Sequence, residues 1–252
     1  MSGKTAETNL DEGVLNNDEW KNRWVVRNIG FHQSQHDGLL DAKEDEMFGG
    51  KTKSIFMPLC GKTFDIVWMY KKGHTVCGVE IAEQAIKEFF DENEIDFDVE
   101  TVENIGKLYK SKDGLLRLYV ADLFDMSREL CGQYDLIWDR RSLVAINLID
   151  HEKYRNLVLS MMKDDGTYYL STVEYDPAVW PGPPHTISDK VVKDIYGNYC
   201  TIELLEEKKR DQPKVSESQM EDENPQPKPS SAGAALKTST YVYDRWYKMT
   251  KK

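Results

Sequence analysis

The sequence predicts an α/β protein, a mostly parallel sheet with helices on both faces and an antiparallel hairpin at its C-terminal end. Three observations carry this. From Lys53 onward short β-rich runs alternate with helical patterns, the signature of βαβ units. Glycine or acidic residues close several of those runs, at Gly61, Glu80, Asp122 and Asp139. The last two β-rich stretches alternate in the manner of antiparallel strands with one wet face.

The elements follow in order. Residues 53 to 59, KSIFMPL, read as the first strand, and FDIVWMYKKG then spaces Phe64, Val67, Trp68 and Tyr70 as a helix stopped by Gly73. HTVCGVE, 74 to 80, is the second strand. IAEQAIKEFFDEN is an amphipathic helix with Ile81, Ala85, Ile86 and Phe89 on one face. Two β-rich stretches flank the SKDG turn at 111 to 114 as a hairpin whose second arm, LLRLYVADLFD, is the third core strand. QYDLIWD, 133 to 139, is the fourth. A helix from about Asp150 to Lys163 leads into GTYYLSTVEY, the fifth strand, after which PGPP at 181 to 184 reads as an irregular loop because proline breaks ladders and helices alike. YCTIELLEE and TSTYVYDRWYKM are the closing antiparallel pair. Near the N-terminus, NNDEWKNRW places Trp20 and Trp24 on one helix face, with Asn17 or Asp18 as N-cap.

At 252 residues one α/β domain is the simplest organisation. Residues 1–17 read as a disordered acidic N-terminus, and 18–252 as a single domain. Within it, 208–235 is rich in Pro, Ser, Glu and Lys and poor in large hydrophobes, so it reads as a disordered insertion that cannot repay its ordering entropy. A net charge of −11 repels nucleic-acid backbones and anionic membranes, which leaves a small-molecule partner. No apolar run approaches the ~18 residues that span a bilayer, and the polar start lacks a signal-peptide pattern, so a cytoplasmic monomer is expected. Cys60, Cys77, Cys131 and Cys200 are far apart without a CxxC pair. They read as buried reduced thiols, with no metal site.

In a doubly wound sheet the ligand crevice lies outside the C-terminal strand ends. The loop Leu59-Cys60-Gly61 after the first strand and Glu80 at the end of the second, about twenty residues on, form a site for an adenosine-bearing ligand, the carboxylate accepting from ribose hydroxyls. The loop has a single glycine where a dinucleotide site wants GxGxxG, which disfavours an oxidoreductase. Ile81 continues that strand end. Asp122 and Leu123 can meet an adenine edge and face; Asp139 and Arg140 end the fourth strand on the same side. Tryptophan faces attract cations, a sulfonium included, so Trp20 and Trp24 read either as core anchors or as a lid. Phe31 is open in the same way.

WKNRW, FHQ, PLCGK, GHTVCGVEI, EFF, IWDR with LVAIN, and YDP with PGPP occur in this order. Together they resemble the thiopurine S-methyltransferase family, from about Asp18 to about Glu206. The resemblance implies a class I methyltransferase, Rossmann-like fold with a seven-stranded sheet, and S-adenosylmethionine as methyl donor. It implies that the Trp20–Phe31 segment covers that donor, that Leu59, Cys60, Gly61, Glu80, Ile81, Asp122 and Leu123 hold it, and that Arg140, with Asp139 positioning, lies at the reacting centre. Phe31, Arg140, Pro183 and Pro184 would bind a flat aromatic thiol, with no obligatory base. Departures stand at Arg141 and Ser142, where the family carries small residues, and at His185, where an aromatic is usual. A second substrate-side arginine has no clear counterpart; Arg210 or Lys237 are the nearest replacements. The alternatives are methylation of small anions (halide, bisulfide, selenium or tellurium oxyanions) and a non-catalytic S-adenosylmethionine-binding protein.

Overall fold

A computed structural model describes residues 13–211 and 231–252. In chain order the elements are α1 (Asn17–Val25), α2 (Gly38–Ala42), α3 (Glu44–Phe48), β1 (Ser54–Met57), α4 (Phe64–Lys71), β2 (Thr75–Glu80) and α5 (Glu83–Glu92). Then come β3 (Phe97–Val102), β4 (Gly106–Ser111), β5 (Leu116–Val120), α6 (Arg128–Cys131), β6 (Tyr134–Arg140), α7 (His151–Met161) and β7 (Met162–Tyr175). The chain closes with α8 (Asp189–Tyr196), β8 (Cys200–Lys209), α9 (Ala232–Leu236) and β9 (Val242–Lys251).

The strands form one sheet in the order β3-β4-β5-β2-β1-β6-β7-β9-β8. Its centre, β5-β2-β1-β6-β7, is parallel throughout. Both edges are antiparallel: β3 and β4 on one side, β9 and β8 on the other. The expected seven strands are therefore present as β5 to β8 in space, and the expectation of a mostly parallel sheet holds for that centre alone. Two strands are added beyond β5. The sequence reading saw β4 as one arm of a hairpin and passed over β3, because Phe97–Val102 lies on the outer edge with its middle residues exposed and so lacks a buried strand's apolar run.

Alternation along the central strands divides the core into two layers. Phe56, Cys77, Val79 and Ile137 face Tyr154, Val158, Val192 and Tyr196 of α7 and α8. Ile55, Met57, Val76, Leu136 and Trp138 face Leu40, Phe48, Ile66, Met69 and Phe89 of α2 to α5. All four cysteines are buried and unpaired. The sequence reading also passed over α8, whose Val192 and Tyr196 are buried. Helix α1 starts one residue earlier than expected, capped by Asn16 in a reciprocal box with Glu19.

The insertion expected over 208–235 is narrower where it is described. Lys208 and Lys209 remain in β8, paired with Asp244 and Tyr243, and 232–236 form α9, capped by Ser231. Residues 212–230, and 1–12 of the N-terminal segment, lie outside the described residues.

Candidate functional site

The strands of the parallel centre all end on one side, and the loops leaving them make the crevice. After β1 the chain turns at Leu59 and Gly61, both with positive φ, 44° and 53°. A non-glycine residue held there marks a turn the surroundings impose. Glycine at 61 is favoured for a second reason: a Cβ would sit 3.3 Å from the Trp24 ring, which would have to give way by a few tenths of an ångström. The turn is tied to β2 through Glu80, whose carboxylate accepts from the Gly61 N–H at 3.0 Å and the Ala82 N–H at 2.8 Å. Burial raises the Glu80 pKa while those backbone donors, with that of Ile81, pull it down. An ionised carboxylate has about four lone-pair sites, so this one can still accept from a vicinal diol.

At the end of β5, Asp122 caps the short turn Leu123–Asp125, accepting from the Phe124 N–H at 2.8 Å. Its other oxygen accepts from Asn17 Nδ2 at 2.6 Å, which joins the first residue of α1 to the crevice. Leu123 is buried beside it.

At the end of β6 two neighbours do different things. Asp139 is wholly buried and accepts from Tyr154 and Tyr168 hydroxyls, each at 2.6 Å, and from the Ser142 and Leu143 N–H groups. Burial raises its pKa against the pull of the two tyrosines. With its oxygens engaged by four donors, Asp139 shapes the turn after β6 from below. Arg140 points to the crevice: its Nε pairs with Asp65 at 2.9 Å and its Nη2 donates to Thr63 at 2.7 Å. Asp65, at the start of α4, is itself fully buried and accepts from Trp138 Nε1 and from the Asp37 N–H.

The N-terminal segment lies over this floor. Leu15 exchanges two hydrogen bonds with Asn147, both 3.2 Å. Trp24, 2% exposed, packs with Ala82 and Ala85 against the start of α5, so it is an anchor. Trp20 and Trp24 each meet Phe31 edge-on, with centroids 6.0 and 5.7 Å apart. Phe31 remains 46% exposed, an aromatic face open to a flat ligand. Arg27 pairs with Glu88 of α5 at 2.7 Å, and Lys62 joins it at 2.8 Å.

The 181–184 loop forms the remaining wall. Tyr175 and Trp180 donate to the carbonyls of Pro184 and Pro183. Gly182, at φ 107°, lies against the His185 ring, where a Cβ would fall 2.1 Å from Nδ1; this is the reason for glycine in the PGPP motif. The His185 N–H donates to Val144 in the turn after β6 at 2.6 Å, so the loop is laced to the crevice. Of the two candidate replacements for a second arginine, Arg210 makes a bidentate pair with Asp244 at 2.7 and 2.8 Å.

The structure thus brings Leu59, Cys60, Gly61, Glu80, Ile81, Asp122, Leu123 and Arg140 to one set of strand ends, with Trp20, Trp24 and Phe31 above. Asp139 stands behind them. Sequence reasoning missed Thr63, Asp65 and Asn147, and it read Asn17 only as a helix cap; the cap is Asn16, and Asn17 bonds Asp122. The T-x-D spacing at the start of α4 is a visible cap signal, but nothing local announces that Asp65 pairs with a residue 75 positions away.

A family model for thiopurine S-methyltransferase matches residues 15–227. A probable thiopurine S-methyltransferase of Danio rerio is 42% identical over 196 residues, covering 77% of this chain and 84% of that protein. The thiopurine S-methyltransferase of Mus musculus is 39% identical over 197 residues, covering 77% and 82%. Among solved structures, the 1,6-didemethyltoxoflavin-N1-methyltransferase of Burkholderia thailandensis superposes with a TM-score of 0.55 at 10% identity, covering 93% of this chain and 87% of that one. TehB of Haemophilus influenzae gives 0.54 at 12% identity, covering 92% and 67%. The fold is therefore that of the class I methyltransferases, and the chain belongs to the thiopurine S-methyltransferase family.

Proposed function

We propose that this protein transfers the methyl group of S-adenosylmethionine to the sulfur of aromatic or heterocyclic thiols of the thiopurine type. The observation that carries the reading is the convergence of Glu80, Asp122 and Arg140 on one crevice, beneath Phe31 and beside the 181–184 loop. S-adenosylmethionine would supply a sulfonium methyl whose carbon the acceptor sulfur attacks in line, the new S–C bond forming as the bond to the sulfonium breaks and S-adenosylhomocysteine leaves. Glu80 would hold the ribose, with Leu59, Cys60, Gly61 and Ile81 forming the cradle and Asp122 and Leu123 the adenine wall. Phe31, Pro183 and Pro184 would hold the flat acceptor.

The nucleophile is the thiolate. Arg140, kept in place by Asp65 and Thr63, would favour that anion by Coulomb attraction. Asp139 acts from beneath, positioning the turn that carries Arg140. No strong base is needed for an acceptor whose thiol ionises near neutrality, and alignment of the reacting atoms alone can contribute roughly 7–11 kcal/mol. Among the described residues no helix is long and apolar enough to cross a membrane; a cytoplasmic monomer acting on small molecules fits the chain's net charge of −11.

The test is a panel of 6-mercaptopurine, thiophenol, sulfide, iodide and selenite with S-adenosylmethionine, read by mass spectrometry. Methylated aromatic thiols are expected. Turnover confined to sulfide, iodide or selenite would replace the thiopurine assignment with a small-anion one. Arg140→Ala should raise KM and slow turnover more at low pH than at high pH; an unchanged pH profile would remove Arg140 from the role given it.

A further inference from the structure

We propose that a cavity beside Arg141 is a second pocket for the acceptor, and that it selects thiols carrying a carboxylate on the side remote from the sulfur. The proposal rests on the methyl-transfer reading above. The cavity has a volume of about 380 Å³, within the ordinary range for a small-molecule site. Arg141 lines it from just after β6, Ser171 from within β7, Asp244 and Trp246 from β9, and Asp37 and Leu39 from the start of α2.

Arg141 follows Arg140 directly, but its backbone has φ 72°, a conformation that residues with side chains avoid. The two arginines diverge. Arg140 turns to Thr63 and Asp65; Arg141 turns across β7 and β9, its Nε donating to Ser171 Oγ at 3.1 Å and its Nη2 to Asp244. Asp37 links the two sides, because its N–H donates to the same Asp65 that anchors Arg140, at 2.8 Å. The cavity thus shares one wall residue, Asp37, with the Asp65–Arg140 pair, and its lining includes neither Glu80 nor Asp122.

Counting Arg210 behind Asp244, the cations Arg141, Lys208 and Arg210 balance the carboxylates of Asp37, Glu206 and Asp244, so a planar anion would be held by the geometry of one guanidinium and not by net charge. Asp244 is shared by Arg141 and by a bidentate Arg210, one carboxylate between two guanidinium groups. Glu206 and Lys208 on the wall offset each other. Asp37 is the opposing carboxylate: one oxygen caps α2 through the Leu39 N–H, and burial raises its pKa, so it takes up a proton more readily than an exposed aspartate. Among the described residues Arg141 Nη1 has no hydrogen-bond partner. A carboxylate entering beside Trp246 and Leu39 would meet that free donor on a fork suited to planar anions.

The experiment measures Kd for thiophenol and for 4-mercaptobenzoate by calorimetry on the full chain saturated with S-adenosylhomocysteine, in the parent protein, Arg141→Gly and Asp37→Asn. Glycine accepts the positive φ, and asparagine keeps the helix cap. In the parent, 4-mercaptobenzoate is expected to bind more tightly than thiophenol. Arg141→Gly should raise the ratio of the 4-mercaptobenzoate Kd to the thiophenol Kd by roughly ten- to hundredfold, the loss of a charge-assisted hydrogen bond; Asp37→Asn should lower it. A ratio unmoved by Arg141→Gly overturns the proposal, and if that variant does not fold, an unmoved ratio in Asp37→Asn does so. No methyl transfer occurs in this complex, so an unmoved ratio strikes this pocket alone, whereas failure to methylate sulfur strikes the earlier reading.

Discussion

The floor of the crevice and its cover are built on different physics. In the floor, Asp139 is wholly buried among two tyrosine hydroxyls and two backbone donors, and Glu80 is held by one backbone N–H from the turn after β1 and one from the turn after β2. The cover, Gly13 to Phe31, is fastened by one buried side chain, Trp24, and by polar ties at Asn17, Leu15 and Arg27. Buried hydrogen bonds are costly to leave half made, while exposed ones trade with water at little net cost. The floor should therefore fix geometry, and the cover is expected to detach at lower cost than the floor.

Substitutions separate the two regions. The largest effect is expected at Asp139→Ala, which strands the buried Tyr154 hydroxyl and the Ser142 N–H, while Tyr168 keeps Tyr196 as a partner; it should destabilise the fold by about 2–6 kcal/mol, at roughly 1–3 kcal/mol for each orphaned group. Urea denaturation measures this; a loss below about 1 kcal/mol would mean that Asp139 is not the keystone of the floor. Glu80→Gln follows: its NH2 must face one of the two backbone donors, so the thermal midpoint should fall, and S-adenosylmethionine affinity should drop roughly ten- to hundredfold. Equal affinity in calorimetry would take the ribose role from Glu80.

Acid should act on the cover before the floor at β2. The Glu88 pKa is depressed to about 2: burial pushes it up, but hydrogen bonds and charge from Arg27 and Lys62 outweigh that. A depressed carboxyl contributes stability that is complete above its unfolded pKa and is lost as pH falls through the folded one. The α1–α5 tie should thus hold at neutral pH and weaken as pH falls from about 4.5 towards about 2. Hydrogen exchange of α1 amides in that window should rise ahead of those in β2; β1 and β6 share the window, because the Asp135 carboxyl that accepts from Ser54 and Lys163 is also depressed to about 2, and simultaneous loss in α1 and β2 would contradict a separable cover. The smallest effect is expected at Asn147→Ala, which removes the two bonds to Leu15. It should cost under about 1 kcal/mol and appear as faster proteolysis near residue 15 with unchanged urea stability.

The same contrast explains what the sequence made legible. Strand ends were readable because βαβ periodicity and punctuation are local: Gly61, Glu80, Asp122 and Arg140 fall where the alternation stops, and all four stand at the crevice. Asp139 and Arg140 looked like a pair of equal standing. The structure separates them, since strand alternation sends one into the layer of Tyr154 and Tyr168 and the other towards Asp65. Trp24 was open between anchor and lid, and its burial against Ala82 and Ala85 resolves it as an anchor. What the sequence did not show are partnerships between distant positions, Asp65 with Arg140 and Arg141 with Asp244, because no local pattern encodes them. The edge strand β3 was missed for the opposite reason, as its exposed middle carries no burial signal.

The central claim, methyl transfer to sulfur within this crevice, is tested most directly by following the methyl carbon itself. S-adenosylmethionine labelled with ¹³C at its methyl group, incubated with the protein and 6-mercaptopurine, would be read by NMR. The account predicts the label in the S-methyl position, with transfer slowed in Arg140→Ala. Label on a ring nitrogen, or none transferred while S-adenosylhomocysteine binds normally, would contradict it.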